Sequence, residues 1–194
     1  MGTDAEFTYV LESRLDRLQK KYLQGESSAR ATLAHLRRAL GKEPGSIPEV
    51  WKITAVPASD YDNDAPSYAE NAAHWIFTLY AHHQQSQTQS MFAQGKDTSL
   101  GRAVWRLSED VNKEGVKKRF QAAASASTLY ELGRHLMALI AQLRSAHIQL
   151  DYVQLYRDLL RFQQPGGRKV VQRRWARDYV AMSAQSLEDK KADI

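Results

Sequence analysis

The sequence predicts an all-α fold of about eight helices arranged in two small bundles. Three observations carry that expectation. Apolar residues recur at three- and four-residue spacing along most of the chain. No segment shows sustained alternation or richness in β-branched residues, as strands would require. The five prolines and ten glycines fall almost entirely between the periodic segments. The expected division is an N-terminal bundle over residues 1–110, a C-terminal bundle over 111–187 and a polar tail over 188–194. No repeat of fixed period is present, and 194 residues suffice to bury a core.

The first helix is marked by Phe7, Leu11, Leu15, Leu18 and Tyr22 at helical spacing, with Gly25 as its stop. A second follows a Ser27/Ser28 cap, turns Ala29, Leu33, Leu36 and Leu40 inward, and ends at Gly41. Its outer side carries Arg30, Arg37 and Arg38. Residues 42–65 are loop-rich and contain a short turn of helix at Pro48-Glu49-Val50-Trp51. Ser67-x-x-Glu70 is a capping box, and Ala69, Ala73, Ile76, Phe77 and Tyr80 form the buried side of the helix it opens. That helix is expected to fray after His82-His83-Gln84-Gln85-Ser86 into a polar linker reaching Asp97. Ser99-Leu100-Gly101-Arg102-Ala103-Val104-Trp105 starts the next helix, and another holds Val116, Lys117, Lys118, Arg119 and Phe120. Thr128-x-x-Glu131 caps the helix with the strongest apolar stripe: Leu129, Leu132, Leu136, Leu139, Ile140 and Leu143. The last two helices lie between Leu150 and Met182, separated by Pro165-Gly166-Gly167.

Composition bounds the chemistry. The formal charge of +5 favours a polyanionic partner over an acidic one. The absence of cysteine excludes disulfides, thiolate metal sites and cysteine nucleophiles, and fits a reducing cytoplasm. No apolar run approaches a membrane span, and the N-terminus lacks a signal-peptide core, so the protein is expected to be soluble and cytoplasmic. Met1-Gly2 is not followed by the Ser or Thr that myristoylation needs at position six, which is Glu6.

Catalytic patterns fail one by one. Asp60-x-Asp62-x-Asp64 begins like a calcium loop, but Ala65 stands where the glycine belongs and Asn71 where the closing glutamate belongs. A solvated loop giving negative charge to a helix N-terminus accounts for it better. His82 and His83 are adjacent and point about 100° apart on a helix, so they do not share a metal-binding face. His74 and His82 are eight residues apart, two helical turns, too far to hold one metal without a bent helix, and His35, His135 and His147 are read with them as structural or surface histidines. Acids mostly alternate with Lys or Arg along helices, as in Glu12 with Arg14 and Asp158 with Arg157, which is the pattern of a solvated surface, not of a Mg²⁺ site. There is no G-x-S-x-G elbow. Pro165-Gly166-Gly167-Arg168 follows a helix and lacks the P-loop continuation. No catalytic site, metal site or cofactor motif is found in the chain.

Cations remain. From Arg157 to Arg177 the chain places Arg157, Arg161, Arg168, Lys169, Arg173, Arg174 and Arg177 against the single acid Asp158. At about 100° per residue, Lys169, Arg173 and Arg177 form one stripe spaced about 6 Å apart along the axis. Val171, Trp175 and Met182 lie opposite, with Tyr179 at their edge. Such a row suits repeated phosphates, although a row of cations also describes any solvated helix face. Arg102 and Arg168 each sit in a first helical turn, where the macrodipole disfavours a cation unless an anion meets it. Trp51, Trp75, Trp105 and Trp175 all fall within apolar runs and are expected in the core rather than stacked on bases.

The chain resembles the CasB family, the small subunit of the type I-E CRISPR surveillance complex, Cascade. The likeness runs from about Ala29 to Val180. It is carried by Leu33-Ala34-His35-Leu36-Arg37-Arg38-Ala39 with Ile47-Pro48-Glu49-Val50-Trp51, and by Tyr80-Ala81-His82-His83-Gln84-Gln85-Ser86. Ser99-Leu100-Gly101-Arg102-Ala103, Arg119-Phe120-Gln121-Ala122, Leu150-Asp151-Tyr152 and Arg174-Trp175-Ala176-Arg177-Asp178-Tyr179 complete it. The resemblance implies a helical, non-catalytic protein without cofactor. Its implied partners are the target and non-target DNA strands, the guide RNA, other Cascade subunits and a second copy of itself. The site residues it implies are Arg37, Arg38, Arg102, Lys118, Arg119, Arg168 and Arg174. Arg173 and Arg177 join them from the helix-face reading alone. Residue chemistry leaves two other readings open: a free-standing helical DNA-binding protein, and a helical adaptor whose basic face meets an acidic protein.

Overall fold

The computed structural model describes residues 2–57, 65–95, 97–110 and 113–192, with side chains from 6 to 185 within those ranges. The Asp60-x-Asp62-x-Asp64 motif lies outside the described residues. Among the described residues the chain is all-α, with nine α-helices and one 3-10 turn. They are α1 (Gly2–Leu23), α2 (Ser27–Ala39), the 3-10 turn (Pro48–Val50), α3 (Trp51–Thr54), α4 (Tyr68–His83) and α5 (Leu100–Asp110). Then follow α6 (Lys113–Ala124), α7 (Leu129–Ser145), α8 (Tyr152–Gln163) and α9 (Gly167–Ala192). The helical backbone of α9 continues beyond Leu187.

Local chemistry sets most of the boundaries. Gly25 and Gly41 take φ of 83° and 76° just past α1 and α2, the left-handed stop that a side chain resists. At Ser67 the capping box is complete: the Ser67 hydroxyl accepts from the Glu70 N–H at 3.2 Å and Glu70 accepts from the Ser67 N–H at 2.8 Å. Thr128 accepts from the Glu131 N–H, but Glu131 reaches one residue further back, to the N–H and hydroxyl of Ser127. Asp151 caps α8 by accepting from the Gln154 N–H at 2.8 Å. The cap expected at Ser27/Ser28 is displaced: Glu26 holds the N-cap position, and Ser28 donates to its carboxylate. The helical turn expected at Pro48–Trp51 is two pieces, because Pro48 starts a 3-10 turn that α3 then continues.

At the centre lies α4, packed against α2, α7 and α8. The sequence predicts one buried side, yet Ala72 to Ala81 is buried without interruption, and His83 with it. A helix enclosed all round must satisfy its polar side chains internally. Thr78 donates to the His74 carbonyl at 2.8 Å, His74 Nε2 meets the Ala39 carbonyl at 3.2 Å, and His83 Nδ1 meets the Tyr152 hydroxyl at 3.1 Å. Buried apolar side chains from both sides of residue 110 form one contiguous cluster. Each full Leu, Ile or Phe burial contributes about 1.5–3 kcal/mol.

The stretch after α4, expected to fray past Ser86 into a polar linker reaching Asp97, is held in place between Gln84 and Ala93. Buried Gln84 accepts from the Met91 N–H at 2.9 Å and donates to the Gln89 carbonyl at 2.8 Å. Leu150 N–H donates to the Met91 carbonyl at 3.0 Å and Ala93 N–H to the Leu150 carbonyl at 3.3 Å, so Phe92 and Leu150 pair as a short parallel bridge. The sequence conceals this clip because its partners are distant in the chain and the stretch around Met91 and Phe92 is otherwise polar.

Candidate nucleic-acid interface

The last helix is fixed by its apolar and its charged contacts together. α9 packs against α5, α8 and α6. Where it crosses α5, a Cβ on Gly101 would lie 2.4 Å from the Trp175 carbonyl oxygen, so only glycine allows this approach. On the α6 side, Phe120 stacks against Trp175 and Tyr179 with centroids 6.2 and 5.7 Å apart. Trp175 is 1% exposed, and its indole donates to Asp158 of α8 at 2.6 Å. With that side buried, Lys169, Arg173 and Arg177 are all exposed, and none of them takes part in an ion pair among the described residues. The expected stripe is therefore presented as an exposed row of cations.

The other expected site residues fall into different settings. Arg168 is exposed and donates to the Ser127 carbonyl at 2.9 Å, tying the start of α9 to the α6–α7 connection. Lys118 and Arg119 are exposed on α6; Lys118 lies 3.7 Å from Glu114 and Arg119 donates to the Gly115 carbonyl at 3.4 Å. Since α6 packs beside α9, these cations flank the same pair of helices.

Arg174 and Arg102 are engaged within the chain. Arg174 pairs with Asp158, whose side chain is 3% exposed, and Gln154 donates to the same carboxylate at 3.3 Å. Asp158 thus belongs to a buried network rather than to the solvated alternation with Arg157 that its neighbours imply. Burial holds the Arg174 pKa below its ordinary value, with Asp178 opposing and Arg157 adding to the fall. Arg102, only 14% exposed, donates to Asp97 at 2.8 Å and lies 3.3 Å from the Met182 sulfur. The anion that its first-turn position asks for is this aspartate.

Arg37 and Arg38 diverge. Arg38 is exposed and contacts Glu49 at 3.2 Å and the His35 ring. Arg37 is half-buried; burial lowers its pKa first, Tyr22 opposes, and the charge of Arg144 lowers it further. Sequence reasoning misses Arg144, because it closes an apolar helix and belongs to no run of cations. It donates to the His82 carbonyl at 3.2 Å and to Gln85 Oε1 at 3.1 Å. Of the four tryptophans, Trp75 and Trp175 are buried and Trp105 partly so, but Trp51 is 55% exposed, its indole donating to the Gly45 carbonyl at 2.7 Å. The sequence predicts core packing for all four; among the described residues Trp51 is left largely uncovered.

Among the described residues no group of three or more His, Asp or Glu side chains is placed to hold a metal ion, and no helix is long and apolar enough to cross a membrane.

Comparison with known proteins gives this architecture its relatives. Residues 32–179 match the family described as CRISPR-associated protein Cse2. The chain is 30% identical over 180 residues to the CRISPR-associated protein Cse2 of Thermus thermophilus, covering 88% of this chain and 91% of that protein. CasB from Thermobifida fusca has the same fold at a TM-score of 0.74 with 33% identity, over 89% of this chain and 96% of that one. A chain of a CRISPR RNA-guided surveillance complex shares the fold at a TM-score of 0.71 and 22% identity, over 92% and 99% of the two chains. With most of its length matched in order by that family, the chain belongs to the CRISPR-associated Cse2 family, the family of CasB.

Proposed function

We propose that this protein is a non-catalytic, nucleic-acid-binding small subunit of a type I-E Cascade complex that acts in antiviral defence in the cytoplasm. In this reading it pairs with a second copy of itself beside the other Cascade subunits and the guide RNA. It grips the sugar-phosphate path of the guide-paired target strand and of the displaced non-target strand. Guide pairing reads the sequence, so the small subunit needs no base-reading side chains. Strand exchange is nearly balanced in energy, and a few phosphate contacts tip it toward the opened state.

The observation that carries this reading is the stripe of Lys169, Arg173 and Arg177, exposed and without an ion pair among the described residues. Family membership supplies the setting. Arg168 on α9 and Lys118 and Arg119 on the neighbouring α6 are exposed as well, whereas Arg102 and Arg174 are engaged with acidic partners in the fold and serve as scaffold.

The test is the complex reconstituted with guide RNA and a triple Lys169→Gln, Arg173→Gln, Arg177→Gln variant. Target affinity is measured against salt concentration. Loss of three phosphate contacts flattens the log–log slope by about 2–3, at about 0.7–0.9 per phosphate. A complex that assembles normally and keeps the wild-type slope removes the stripe from the interface. Failure of the triple variant to enter the complex makes the basic face a protein-docking surface and favours the adaptor reading.

A further inference from the structure

Trp51 stands outside although the residues beside it pack inward. Val50 is buried, and Ile53, three residues on, is half-buried against the core. That spacing turns one side of α3 toward the bundle and leaves Trp51, about 100° from Val50 and about 160° from Ile53, on the other. Contacts from two other parts of the chain fix it there. The indole N–H donates to the Gly45 carbonyl at 2.7 Å. Arg14 of α1 donates to the Ile53 carbonyl at 3.0 Å and to the Ala55 carbonyl at 2.5 Å, holding the end of α3 against the bundle.

A tryptophan held in this way offers an incoming partner an apolar face alone, because its single donor is already used within the chain. Its large ring gains by being covered, and its fixed position reduces the ordering lost on contact; both are properties of an interface anchor. The charge around it selects the class of partner. Residues 42–65 carry Glu43, Glu49, Asp60, Asp62 and Asp64 against Lys42 and Lys52, in a chain whose net charge is +5. Glu43 and Glu49 are exposed, and Arg38 is engaged by Glu49 at 3.2 Å. An acidic border of this kind repels a nucleic-acid backbone and attracts lysine and arginine side chains.

We propose that Trp51 anchors a docking surface for another protein subunit of the complex, one that presents an apolar pocket bordered by lysine or arginine side chains. This rests on the reading above for the complex that supplies the partner. An unpaired base stacked on the ring and a second copy of this chain are the rival occupants, and the test separates them.

The full chain, fluorescently labelled, is titrated with guide-RNA-loaded complex that lacks its small subunit, in the absence of target DNA. Trp51→Ala weakens docking about thirtyfold, and Trp51→Phe, which keeps an apolar ring, weakens it less. At concentrations that saturate the complex, the Trp51→Ala subunit supports wild-type target affinity with the wild-type salt slope. Docking of Trp51→Ala at wild-type affinity overturns the proposal. If target affinity falls in that case, the ring belongs to an unpaired base; if sedimentation of the free chain shows lost self-association instead, it belongs to a second copy. Where Trp51→Ala lowers the Tm of the free chain, Glu43→Lys decides: it leaves the ring in place, reverses one border charge and weakens docking severalfold at low salt. Docking unaffected by Glu43→Lys then overturns the proposal. If Trp51→Ala loosens docking while target binding is indifferent to this subunit, the docking surface stands and the nucleic-acid reading falls.

Discussion

The indole of Trp175 and the carboxylate of Asp158 meet in the buried seam between α8 and α9, Nε1 donating to Oδ2 at 2.6 Å. Arg174, next in the chain to Trp175, binds the other carboxylate oxygen. One buried acid thus fixes both the apolar and the charged side of the seam, and it orients the exposed row on the far side of α9.

Asp158→Ala leaves the indole N–H and the Arg174 guanidinium without their shared partner. The expected destabilisation is about 2–4 kcal/mol, toward the low end for a buried pair because Arg174 remains 39% exposed. Urea unfolding measures it. Wild-type stability would mean that the seam is held by apolar contacts alone.

At the α5–α9 crossing, Gly101→Ala places a methyl 2.4 Å from the Trp175 carbonyl and 2.8 Å from Asp178 Cβ. The helices have to separate, at a cost of about 1–3 kcal/mol. Gly133→Ala meets the Trp75 ring at 2.3 Å and calls for a similar loss. Both are read from urea midpoints. A Gly101→Ala protein as stable as wild type would show that the crossing is slack.

Stability falls as pH drops below about 6.5. An unfolded histidine takes up its proton near that value, whereas burial pushes folded His83 down to about 3 and holds His74 low as well. Between the two values the unfolded chain binds the additional proton, so the stability present at neutral pH is lost as pH falls. From pH 7 to pH 5 the expected loss is about 2 kcal/mol for His83, with His74 adding to it. His83→Gln should flatten this dependence. An unchanged pH slope in that variant would place the loss elsewhere.

Leu136→Ala removes a side chain with no exposure from the stripe of α7. Truncation there costs about 2–5 kcal/mol, according to how far the site collapses. A calorimetric Tm equal to that of the wild type would show that the stripe is not core.

Much of the frame was legible in the chain because it is local. The Ser67–Glu70 box, Thr128 at its cap and the left-handed glycines 25 and 41 act within a few residues, and helical periodicity found the buried faces of α1, α2 and α7. The outward stripe of α9 followed from the same geometry. What stayed hidden depends on partners far away in sequence. Asp158 reads as a surface acid until α9 lies over it, and Gln84 reads as linker until Met91 and Gln89 fold back on it. Arg144 belongs to no run of cations in the chain and gains meaning only where α7 meets the end of α4. Periodicity also could not distinguish a half-buried helix from α4, whose enclosure is decided by how many neighbours surround it.

The bridge between Phe92 and Leu150 closes a long loop of the chain. It fastens together the two ends of the excursion formed by α5, α6 and α7, so α4 and α8 are joined across it by the bridge as well as by the chain. A cut in the connection between α6 and α7 would yield two fragments, each with apolar faces that only the other covers: α7 and α8 against α4, and α9 against α5. Those faces are what two separately made halves would use to find each other and restore one body, with the clip setting their register.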